Sequence, residues 1–147
     1  MPSTAGREPR PVRAQFRHFL TIPTRWHDND AYGHVNNVVY YAYFDTGVNE
    51  HLIREGGLDI AASPSIGLVV ETTCRYFAPL AFPDVLEAGM RVERLGTSSV
   101  TYAIALFRAG ADEAAASGRF VHVWVDRSSQ RPVPVPERIR SALAKLA

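Results

Sequence analysis

The feature that most constrains this fold is a single long helical pattern whose apolar residues occupy more than one face. From Asn37 to Glu55, Tyr41, Phe44, Val48 and Leu52 recur at spacings of three and four, so they share one side of a helix. Val39, Tyr43 and Gly47 lie on an adjacent side. Gly56-Gly57 stops the pattern. About 19 residues make a helix of roughly 28 Å. A helix apolar over so wide an arc must be covered, and only strand patterns remain to cover it.

Those patterns follow in close succession. Residues 16–23 alternate in part, ending near Pro23. Residues 66–77 are rich in β-branched and aromatic types. In 85–94, Leu86, Ala88, Met90 and Val92 alternate with polar or small residues, as in a half-buried strand. In 99–108, Val100, Tyr102, Ile104 and Leu106 form one face. Residues 109–118 are small and polar and read as a loop. In 119–126, Phe120, His122 and Trp124 oppose Val121, Val123 and Val125. The prolines of 131–136 cannot continue a central strand, because proline lacks the N–H. Glu137–Leu146 read as a short helix behind Pro136. Short connections between strands favour antiparallel pairing. The expected architecture is therefore α+β, an antiparallel sheet curled around one long helix. An open sheet edge leaves room for a second copy.

Composition narrows the function classes. With 147 residues the chain fits one domain, expected over 16–147 behind a flexible tail over 1–15. A net charge of +1, from 16 basic and 15 acidic residues, marks neither a nucleic-acid surface nor a membrane surface. No run of apolar residues is long enough for a membrane-inserted helix, and the Pro- and Arg-containing N-terminus is not a secretory signal. The single cysteine, Cys74, excludes an internal disulfide and suits a reducing, cytoplasmic setting. It is read as a small core residue.

The chemistry concentrates in Arg25–Asn37, directly before the helix. This turn holds Asp28, Asp30, His27, His34, Gly33, Asn36 and Asn37. A carboxylate just ahead of a helix start sits beside free backbone N–H donors and the positive end of the helix dipole. That pairs a base with an anion-stabilising site, as acyl transfer requires. Asp30 is the candidate base, although a carboxylate here is also a common helix cap. Asp28 is expected to order the turn, Gly33 to supply an unusual backbone angle, and Asn36 to cap the helix. His34 either bonds across the turn or serves as a polar wall or auxiliary acid. Asp28-x-Asp30-x-x-Gly33 echoes the opening of a calcium loop. Tyr32 at the fifth position and Val39 at the twelfth do not fit, so no metal is expected. There is no His-Glu-x-x-His pattern and no Gly-x-Ser-x-Gly elbow.

Taken together, Asp28-x-Asp30-x-x-Gly33-His34-Val35-Asn36-Asn37-x-x-Tyr40 and the ending Val123-Trp124-Val125-Asp126 with Arg131-Pro132-Val133-Pro134 resemble the hotdog fold. Within it, they resemble the 4-hydroxybenzoyl-CoA thioesterase family. The resemblance implies that Asp30 is the catalytic carboxylate and that the backbone N–H of Asn37 is the oxyanion donor, with His34 auxiliary. It also implies substrate contacts from Gly33, Val35, Tyr40, Ser98 and Ser99, and a homodimer or homotetramer with its sites between subunits. No cofactor is implied. The family's basic cluster for the CoA phosphates is replaced here by Leu95-Gly96-Thr97. The reaction expected is hydrolysis of an acyl-CoA to a carboxylic acid and free CoA. The rivals are a non-catalytic acyl-CoA or acyl-carrier binding module and an acyl-carrier-protein thioesterase. The plant-type acyl-carrier-protein enzymes share His-Val-Asn-Asn but carry asparagine where this chain has Tyr32. A hotdog dehydratase, with histidine and acid placed differently, is the most distant reading.

Overall fold

A computed structural model describes residues 9–147 and gives the expected arrangement, one antiparallel sheet curved around one long helix. The elements are β1 (His18–Pro23), α1 (Val39–Arg54), β2 (Ser65–Thr72), β3 (Arg75–Tyr76), β4 (Val85–Leu95), β5 (Ser99–Arg108), β6 (Ala116–Asp126) and α2 (Glu137–Ala144). The sheet order is β1-β4-β5-β6-β2, with β3 also paired to β6. All pairings are antiparallel.

The buried side of α1 carries Tyr40, Tyr43, Phe44, Gly47, Val48, His51 and Leu52. These recur at three and four, so the helix meets the sheet along one broad stripe. Tyr41, expected on that stripe, is only half-buried, and Tyr40 takes the deep position instead. Gly47 lets the helix approach Ala88 and Met90. The helix ends as its glycines dictate. Gly56 N–H donates to His51 O, Leu58 N–H donates to Leu52 O, and Gly57 takes φ +67°. Across from α1 the sheet presents Leu86, Ala88, Met90 and Val92 from β4, Val100, Tyr102, Ile104 and Leu106 from β5, and Phe120 and Trp124 from β6.

The sheet's outer face is also partly covered. Ala103, Ala105 and Phe107 form a second cluster with Phe16 and Ala114, with Phe19 packed against it. The end of the segment expected to be a free tail adds to that cover through Arg13. Of 1–15, residues 1–8 lie outside the described residues. From Pro9 onward the chain is tied down: Arg10 Nε donates to Ala114 O (2.7 Å) and Arg13 N–H to Asp112 O (2.9 Å). The Arg13 guanidinium also lies over the Phe19 and Phe107 rings, 5.1 and 5.0 Å from their centroids.

The single strand expected over 66–77 is broken into β2 and β3 at Thr73-Cys74. The cause lies across the sheet at Gly118, where a Cβ would fall 1.7 Å from Thr73 O. The two backbones approach so closely there that only glycine fits. The loop expected over 109–118 correspondingly ends early, since Ala116 and Ser117 pair with β3. Cys74 packs against the core at its margin, half-buried.

Candidate active site

The polar turn is built on Asp28, which is 1% exposed. Its Oδ2 accepts hydrogen bonds from Arg25 N–H (2.9 Å) and the Tyr43 hydroxyl (2.8 Å). Its Oδ1 accepts from Arg25 Nε and Nη2 (3.0 and 2.9 Å). Burial alone would raise the Asp28 pKa. The donors from Arg25 and Tyr43 outweigh it and hold the carboxyl below its ordinary value. Burial and the same contact with Asp28 push the Tyr43 phenol up. Asp28 is thus spent on structure, as expected. It locks a short 3₁₀ turn, Trp26–Asp28, to the buried face of α1.

Beyond it the chain makes a tight loop. Gly33 N–H donates to Asp30 O, Asp30 N–H donates to His34 O, and Gly33 adopts φ +83°. A left-handed residue is required there, and glycine supplies it without strain. The half-buried Asp30 carboxylate accepts Tyr32 N–H through Oδ1 (2.8 Å). Among the described residues, no hydrogen bond is drawn to Asp30 Oδ2. Val35 N–H donates to Leu80 O (2.7 Å) and Asn36 N–H to Asp28 O (2.9 Å). Asn36, expected to cap α1, lies ahead of the actual N-cap, Val38, which has no side-chain cap; its Oδ1 accepts Val38 N–H (3.1 Å) and its carbonyl Val39 N–H (2.9 Å), bracing the turn that leads into the head of the helix.

Asn37 stands at this head with its main chain used on one side only. The Tyr76 hydroxyl donates to Asn37 O (2.7 Å). Among the described residues, Asn37 N–H donates to nothing. Asn37 precedes Val38, the N-cap of the 16-residue helix, and an unpartnered N–H this near the positive end of a helix dipole suits a developing oxyanion. Asn37 lines a shallow groove of about 320 Å³ together with His34, Val35, Tyr40 and Tyr76–Pro79.

The structure therefore joins four of the expected residues, His34, Val35, Asn37 and Tyr40, in one groove. His34 is exposed and free of the cross-turn side-chain bond considered for it. Val35 and Tyr40 are buried walls. Asp30 and Gly33 sit on the adjoining loop and do not line the groove of a single chain. Within one chain the sheet keeps Ser98 and Ser99 away from this groove. Tyr76 pairs beside Ala116 and Ser99 beside Val123 on the same strand. Seven residues of extended chain put roughly 23 Å between them. The serines lie instead at the β4–β5 turn. Tyr76 was not foreseen, because its tie to Asn37 joins residues far apart in the chain. Among the described residues, no group of three or more His, Cys, Asp or Glu side chains is placed to hold a metal. None of the described helices is long and apolar enough to cross a membrane.

Comparison with known proteins agrees with this geometry. The thioesterase-like superfamily profile matches residues 24–143, from the polar turn into α2. The PA5185 protein of Pseudomonas aeruginosa strain PAO1 is 62% identical, with a TM-score of 0.93, over 94% of this chain and 96% of that one. The chloroplastic acyl-acyl carrier protein thioesterase ATL3 of Arabidopsis thaliana is 27% identical over 84% of this chain, which spans 66% of the plant protein's length. A 1,4-dihydroxy-2-naphthoyl-CoA thioesterase from Synechocystis shares the fold, with a TM-score of 0.78 over 87% of this chain and 96% of that one, at 17% identity.

Proposed function

Because the chain belongs to the thioesterase-like superfamily and is a thioester hydrolase, we propose that its substrate is an acyl-CoA of the kind used by the 4-hydroxybenzoyl-CoA thioesterase family. Water and the acyl-CoA give a carboxylic acid and free CoA. The observation that carries this reading is Asn37, its N–H unpartnered among the described residues, lining a groove just ahead of α1 and next to the Asp30 loop. The thioester carbonyl oxygen would sit on that N–H as charge develops on it. Asp30 would drive attack on the carbonyl carbon, either by taking a proton from water or by forming a mixed anhydride that water then cleaves. The CoA thiolate leaves and takes up a proton. His34 would stand at the rim as an auxiliary polar group.

A groove this open, with Asp30 outside its walls, favours a site completed by a second copy. The free edge of β2 is suited to that pairing. Leu68, Val69 and Val70 are all exposed along it, Val69 at 45%, and an unpaired apolar edge strand invites a partner. A homodimer, or a homotetramer built from two such dimers, is the expected assembly. Sedimentation velocity should return a dimer or larger, and Val69→Lys should shift it toward the monomer. An unchanged mass in that variant would remove the β2 edge from the interface.

The deciding experiment is thiol release from a panel of short, medium, long and aryl acyl-CoAs. Turnover of at least one class is expected. Tight binding across the panel without CoA release would instead identify a binding module. The Arabidopsis relative gives specific grounds for a parallel arm with acyl-carrier-protein thioesters. Faster turnover there would move the substrate assignment while keeping the chemistry.

A further inference from the structure

At the opposite end of α1 from the groove, a cavity of about 410 Å³ lies between β1, the C-terminal end of α1, and α2. A 16-residue helix puts roughly 24 Å between the two. The cavity has two histidines in its wall. His51 of α1 is 5% exposed, and neither of its ring nitrogens has a partner. His18, on β1, stacks against it with ring centroids 4.7 Å apart, and His18 Nε2 is also buried without a partner. Buried polar atoms are normally bonded, so three orphaned ring nitrogens at one cavity call for an explanation.

The charges around them supply one. Arg17 just ahead of β1, Arg138 of α2 and Lys145 at the C-cap of α2 line the cavity, and Glu55 at the C-cap of α1 is the carboxylate there. The formal balance is three cations against one anion. The Arg138 guanidinium lies over Gly57, where a Cβ would be 2.5 Å from its central carbon.

We propose that this cavity binds a phosphate group: a small dianion held by Arg17, Arg138 and Lys145, onto which a ring N–H of His18 or His51 turns as it binds. Arginine and lysine around imidazole donors match the several acceptor oxygens of a phosphate. Burial, with His18 adding to it, lowers the His51 pKa, while Glu55 and Glu50 act the other way. A bound dianion would favour the imidazolium, so binding should draw a proton onto His51. The occupant is either free inorganic phosphate or a phosphate carried by a larger molecule, such as the 3′-phosphate of CoA.

The test uses the whole chain and follows the five histidine ring signals by NMR during titration with inorganic phosphate near neutral pH. His18 and His51 should shift saturably, with His51 titrating at higher pH when phosphate is present. His27, His34 and His122 should stay in place. The double variant R138A/K145A changes two exposed side chains and should keep the fold. It should weaken phosphate binding roughly tenfold or more. His18 and His51 signals that ignore phosphate, or an unchanged titration in the double variant, would overturn the assignment. CoA and 3′-dephospho-CoA separate the sources. If CoA moves these signals and dephospho-CoA does not, the nucleotide phosphate is the ligand. If neither does while phosphate does, the ligand is the free ion. Both results leave the thioester reading to be judged separately, by turnover.

Discussion

Asp30→Asn is expected to leave the fold intact and to lower acyl-CoA turnover at least about a hundredfold, the range for loss of a positioned base. The structural half of that expectation follows from the loop. The Asp30 side chain makes one local bond, accepting Tyr32 N–H through Oδ1, and an asparagine carbonyl can accept the same N–H. The chemical half follows from what asparagine lacks. It neither takes a proton from water nor forms an anhydride, while the Asn37 N–H at the helix head stays in place. Thiol release measured beside a melting curve separates the two. Near-normal turnover in a folded variant would defeat the assignment of Asp30. Asp28 would be a poor choice for this experiment. Its carboxylate is buried against Arg25 and Tyr43, so its loss would disturb the turn whatever its chemistry.

What was legible in the chain is what neighbours in sequence decide. Phe44, Val48 and Leu52 announce the buried stripe of α1 through spacing alone, and all three are fully or nearly fully buried. Gly33 and Gly57 announce positive φ because a loop and a helix end at those points demand it. The alternation in β4 and β5 separates buried from exposed faces because the strand period is two. The clustering of the turn residues just ahead of the helix was also visible, whereas the role of the Asn37 N–H came from the family resemblance alone.

What was hidden depends on partners distant in sequence. The break at Thr73-Cys74 is caused by Gly118 on another strand. The anchoring of Arg10 and Arg13 depends on carbonyls of Ala114 and Ala111 beyond β5. The groove wall at Tyr76–Pro79 reaches Asn37 only because β3 pairs with β6. Ser98 and Ser99 fell in the right strand order but at the wrong end of the sheet for a one-chain site. A composite site leaves that kind of gap, because one chain holds only part of its walls.

The second large effect concerns acid. His122 belongs to β6 and lies 2% exposed among aromatic rings, with centroids of Phe120, Tyr102 and Trp124 at 4.8, 5.9 and 6.2 Å. Its Nδ1 is buried with no partner. Gly67 gives the ring its space, since a Cβ there would sit 2.9 Å from Nδ1. Burial among apolar neighbours disfavours the imidazolium and pushes the His122 pKa from 6.5 down to about 4. In the unfolded chain the same ring protonates at its ordinary value. Below that value the unfolded state therefore binds more protons than the folded state, and stability falls as pH falls. The contribution is fully present above about pH 6.5 and is lost progressively down to about 4. At about 1.36 kcal/mol per unit, the whole window is worth on the order of 3 kcal/mol. Asp28, also held low, titrates below its ordinary carboxylate range and so acts mainly at still lower pH. His51 shifts in the same direction as His122 and adds to the same window. Denaturant unfolding at neutral pH, near 5.5 and near 4 should show this loss. His122→Phe, which keeps a ring in the aromatic stripe and removes the titrating nitrogens, should flatten most of it. A variant as acid-sensitive as the parent would mean that the proton goes elsewhere.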